Sequence, residues 1–85
     1  MIPTTEDFRQ ALRDILSSAG REGGDYVEVR SGDVHRRLGG YPGPSHNLPG
    51  CCGAMRSMML PGDLVLRQPP KGKGASLVVR YALPR

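Results

Sequence analysis

The sequence predicts an α+β domain of three helices and a small antiparallel sheet ending in a C-terminal β-hairpin. Three observations predict it. Apolar residues recur at helical spacing in three separate stretches before Pro61, and from Asp63 onward they alternate with period two. Most of the 12 glycines and 8 prolines cluster in Gly20 to Gly24, Gly39 to Gly50 and Pro61 to Gly74, so they punctuate the chain rather than dissolve it. With 85 residues the chain is expected to be one domain, residues 1–85, with a single core and little material for a deep catalytic cleft.

Thr4 and Asp7 form an acidic variant of the capping box, and Phe8, Ala11, Leu12, Ile15, Leu16 and Ala19 follow at i, i+3, i+4, i+7, i+8 and i+11. This is an amphipathic first helix, which Gly20 is expected to close. Tyr26 to Arg30 alternates, with Val27 and Val29 on one face, as a short half-buried strand. Ser31 is expected to cap a second helix, Gly32 to Leu38, with Asp33 at the positive end of its dipole and Val34 and Leu38 inward. Gly39 and Gly40 stop it, and the loop "GGYPGPSH" leads to a third helix capped by Asn47 or Ser45, with Pro49 in its first turn. There Leu48, Cys52, Met55 and Met59 point inward, Gly50, Gly53, Arg56 and Ser57 outward, and Pro61 and Gly62 end the helix. Leu64 and Leu66, then Leu77, Val79, Tyr81 and Leu83, form two strands joined by "QPPKGKGA". The expected core is Phe8, Leu12, Ile15, Leu16, Val27, Val29, Val34, Leu38, Leu48, Cys52, Met55, Met59, Leu64, Leu66, Leu77, Val79 and Tyr81.

The net charge of +4 is divided unevenly. Residues 1–28 carry six acidic side chains against three arginines, and residues 29–85 carry nine basic side chains against Asp33 and Asp63. Such polarity predicts one face that meets a polyanion. The only two lysines, Lys71 and Lys73, flank Gly72 at the tip of the hairpin.

The order helix, strand, helix, loop, helix, strand, basic turn, strand resembles the winged-helix variant of the helix-turn-helix. The resemblance covers Thr4 to Leu83 and rests on element order. It implies that the third helix lies in the major groove of duplex DNA and that the C-terminal hairpin forms a wing beside it. The chain departs from the family in the eight-residue connection Gly39 to His46, where a short turn is usual.

The candidate DNA-contacting residues are therefore His46, Asn47, Arg56 and Ser57 on the third helix, Arg36 and Arg37 as phosphate anchors, and Lys71 and Lys73 on the wing. Asn47 serves either as a base contact or as an N-cap. Gly50 and Gly53 either admit the DNA backbone or relieve packing, and the lysines either follow phosphates or keep an exposed hairpin soluble. The expected partner is double-stranded DNA, with a homodimer or larger assembly as a further possibility, in a small cytoplasmic regulator or DNA-targeting module.

Two other readings stay open. A winged-helix scaffold can instead bind protein. His46, Cys51 and Cys52, with His35 as a further donor, lack a standard ligand spacing yet offer the donor types of a thiol or metal sensor. No enzyme is predicted. "KGKGAS" lacks the phosphate-loop spacing and leads into a strand, and neither histidine has an obvious acidic partner in sequence. No cofactor is implied, and no run reaches the roughly 18 to 20 apolar residues of a membrane span.

Overall fold

The computed structural model describes residues 2–39, 43, 46–70 and 74–84. Its elements are α1 (Thr5–Arg21), β1 (Tyr26–Arg30), α2 (Ser31–Leu38), α3 (Leu48–Ser57), β2 (Leu64–Arg67) and β3 (Val78–Ala82). Three helices thus accompany a three-stranded antiparallel sheet in the order β1-β3-β2.

The capping box opens α1. The Asp7 amide donates to Thr4 Oγ1 at 3.2 Å, and the Thr4 amide donates to Asp7 Oδ2 at 2.8 Å. Phe8, Ala11, Leu12 and Leu16 are buried along its inner stripe. The helix does not stop at Gly20, which lies inside it. It runs to Arg21, and Gly23, at φ 85°, supplies the left-handed residue after it.

Helix α2 starts at Ser31 rather than after it. Arg30 is its N-cap and gives no side-chain cap bond, since a guanidinium has no acceptor; the Ser31 hydroxyl is instead turned across the fold and donates to the Gly74 carbonyl. At its other end Leu38, expected inward, is 39% exposed, while Val34 and His35 fill the inner face. Leu38 shares the Val34 face one turn on, but as the last residue of the helix it lines an open groove against α1 instead of entering the core.

Of the two proposed caps for α3, Asn47 is the one used; Ser45 lies outside the described residues. The helix ends at Ser57, before the turn at Pro61 and Gly62, and Met59 packs against the core from beyond it. Cys51 and Ala54 join Leu48, Cys52 and Met55 in burial, so α3 is apolar around most of its circumference.

β3 is the central strand. Val79 and Tyr81 are fully buried, and Tyr81 Oη donates to the Met55 carbonyl at 2.8 Å, which satisfies a buried phenol and fixes the sheet to α3. Leu77, just before the strand, is also fully buried, and Leu83 is half-buried. The expected burial of Leu64 and Leu66 is overturned: they are 53% and 44% exposed, and Val65 turns inward. "LVL" is apolar at three successive positions, so alternation gives no phase, and pairing supplies it. Val65 faces Val79 and Leu64 faces Arg80, so Val65 takes the core side. A bulge between Val65 and Arg67 then breaks the alternation. Ile15 and Val27 are half-buried at the edge of the same core.

Candidate nucleic-acid interface

The outward stripe of α3 consists of Pro49, Gly53 and Ser57, with Gly50 and Arg56 half-buried beside them. The two glycines are not equivalent. A Cβ on Gly50 would run into the Asn47 side-chain amide, whereas a Cβ on Gly53 would meet nothing within 4 Å. Gly50 is therefore a requirement of the cap, and Gly53 leaves an open notch on the helix surface.

Asn47 is held from three sides. Its Oδ1 accepts from the Gly50 amide at 3.1 Å, its Nδ2 donates to the Pro3 carbonyl at 2.9 Å, and its own amide donates to His35 Nε2 at 2.8 Å. The last bond makes Nε2 the unprotonated nitrogen of a buried imidazole, whose ring sits tilted against Phe8 at 4.9 Å. The start of α3 is thereby bolted to the chain before α1 and to α2. Burial of His35 and this long-range bond left no local signal in the sequence.

The base of the hairpin is anchored in the same region. The Gly74 carbonyl accepts from Ser31 Oγ at 2.7 Å and from Cys52 Sγ at 3.2 Å. The Ser31 and Gly32 amides donate to the Leu77 and Ala75 carbonyls, and Arg30 Nε also reaches Ala75 O. Two of the first amides of α2, which lack partners within the helix, are thus satisfied by the returning hairpin strand. Pro69 is buried, and a Cβ on Gly74 would lie 3.0 Å from its Cβ, so only glycine allows this approach without displacement. Lys71 and Lys73 lie between these two anchors in sequence and outside the described residues.

The remaining candidates divide. His46 is exposed just before the cap. Arg36 and Arg37 are exposed on α2; Arg36 lies 3.9 Å from Asp33, and Arg37 faces α1 across an open groove of about 490 Å³ shared with Asp7 and Asp14. Ser57 Oγ donates to the Ala54 carbonyl at 2.8 Å and accepts from Arg9 Nε at 3.2 Å, so it links α3 to α1. Arg56, in the last turn of α3, lies near enough for its charge to act on the Cys52 thiol. On the outer sheet face Arg80 stacks over Tyr26 at 4.3 Å and pairs with Glu28 at 3.1 Å.

Cys51 and Cys52 act as donors. Cys51 Sγ points to the Ser31 carbonyl at 3.4 Å. Burial, with Cys52 beside it, pushes the Cys51 thiol up to about 12. Burial also raises Cys52, against the opposing effects of the Ser31 hydrogen bond and Arg56. Both are protonated near neutrality, the state least suited to nucleophilic attack or metal ligation. Among the described residues no three His, Cys, Asp or Glu side chains gather as a metal site, and no helix is long and apolar enough to cross a membrane.

No protein-family model, curated protein or solved structure matches the chain.

Proposed function

We propose that the chain is a winged-helix domain that binds duplex DNA through α3 and the hairpin beside it. The observation that carries this reading is the pair of hydrogen bonds that the Gly74 carbonyl accepts, from Cys52 on α3 and Ser31 on α2. It ties the base of the lysine-bearing turn to the helix that would enter the groove, and the reading requires these two to be neighbours. The element order and the central position of β3 support it as well. In the complex α3 lies in the major groove, Lys71 and Lys73 contact neighbouring phosphates, and Arg36 and Arg37 anchor the backbone on the far side.

The test is a salt titration with random duplex DNA. If about six phosphates are neutralised, affinity falls with roughly the fifth power of salt concentration. Replacing Lys71 and Lys73 by alanine lowers the exponent by about two and weakens binding to every duplex alike. An unchanged exponent removes the wing from the interface. A second reading, a module that binds protein, is favoured by one feature: Leu60, Leu64 and Leu66, 57%, 53% and 44% exposed, lie on and next to the edge strand β2. Absence of any duplex binding at low salt favours that reading instead.

A further inference from the structure

Resting on the duplex-binding reading, we infer that the α3 surface takes duplex DNA by its backbone and groove shape, with no preference among base sequences. A recognition helix reads bases chiefly from its N-terminal residues. In α3 these are Leu48, which is buried; Pro49, which has no donor; and Gly50, which has no side chain and whose amide is bonded to Asn47. Asn47 would read adenine by presenting Oδ1 and Nδ2 together. Both atoms are already engaged, one with Gly50 and the other with the Pro3 carbonyl, and releasing them would open the helix cap. Ser57 is likewise bonded to Ala54 and Arg9.

Two candidates remain. His46 offers a single imidazole, which cannot make a bidentate pair with a base. Arg56 sits at the opposite end of the helix, roughly 12 Å along the axis from Leu48 at the usual rise per residue. A helix with one long polar side chain in its last turn and an open notch at Gly53 fits a groove closely without questioning its edges. The cationic residues Arg36 and Arg37, exposed on α2, are suited to phosphates, which carry no sequence information.

Selection from a randomised duplex pool at low salt tests this. A single bidentate base contact changes affinity by roughly 5- to 150-fold. The recovered duplexes are expected to share no motif and to bind within about fivefold of the starting pool, below the effect of even one such contact. Recovery of a shared motif bound more tightly than that overturns the inference and leaves duplex binding standing. Failure to retain any duplex at low salt removes duplex binding itself, and the inference with it, so the two failures are told apart by the same experiment.

Discussion

Helices α1 and α3 are built on opposite plans. α1 stabilises itself locally. It has a reciprocal capping box, and its outer face is laced within the helix: Glu6 to Arg9 and Arg13 at 3.3 and 3.1 Å, Gln10 to Asp14 at 3.2 Å, and Arg21 to Ser17 at 2.9 Å. α3 has one charged residue, Arg56, and is held by bonds that leave the helix: Asn47 to Pro3 and His35, Cys51 to Ser31, Cys52 to Gly74, and the Met55 carbonyl to Tyr81. A helix fixed from behind in this way tolerates two glycines, each costing ~1 kcal/mol in propensity relative to alanine, and keeps its front bare. The consequence of that plan is sensitivity to its few anchors.

Removing the caps is the strongest way to break the comparison. Thr4→Ala takes one exposed capping oxygen from α1 and is expected to lower stability by about 1 kcal/mol. Asn47→Ala strips the α3 cap and also leaves the Pro3 carbonyl without its donor in a half-buried site, for a loss of about 2 to 3 kcal/mol. Urea unfolding of the two variants measures the difference. Equal losses would mean that α3 is no more dependent on long-range anchors than α1.

The two glycines of α3 sharpen it next, because they are expected to respond with opposite signs. Gly53→Ala fills open space and gains helix propensity, raising stability by up to about 1 kcal/mol. Gly50→Ala places a methyl against the Asn47 amide and lowers stability by roughly the value of the cap it disturbs, about 1 kcal/mol. Thermal unfolding reads both. On the duplex-binding reading Gly53→Ala also weakens DNA binding while stabilising the fold, since the notch is then filled.

Local regularity was legible in the sequence, and what joins distant segments was not. The capping box, the amphipathic stripe of α1 and the buried alternation of Val79 and Tyr81 follow from spacing alone. The phase of β2 did not, because Leu64, Val65 and Leu66 are all apolar and only the pairing with Val79 and Arg80 selects Val65. Ser31 and Asn47 were both readable as caps; Asn47 is one, while Ser31 answers to Gly74, 43 residues away. At the candidate site the residue types were visible, but not that Asn47 Nδ2 is bonded to Pro3 or that Ser57 accepts from Arg9, 44 and 48 residues away. Hydrogen-bond partners across such separations leave no trace in local pattern.

The smallest expected effect concerns the charged face that α3 lacks. Hydrogen bonds from Arg13, and secondarily from Arg9, hold the Glu6 carboxyl below its ordinary value of 4.5. A carboxylate whose folded value is depressed stabilises the fold above its unfolded value, and that contribution disappears as pH falls through the folded one. Wild type and Glu6→Gln should therefore differ slightly at neutral pH and converge in acid below 4.5. Because Glu6 and its arginine partners are solvent-exposed, added salt should shrink the gap as well. The Gly53→Ala increment involves no titrating group, so it should stay constant across the same pH and salt range. A Glu6 gap that persists in acid would place the effect in packing rather than charge, and would bring the two helices closer in kind than their hydrogen bonds suggest.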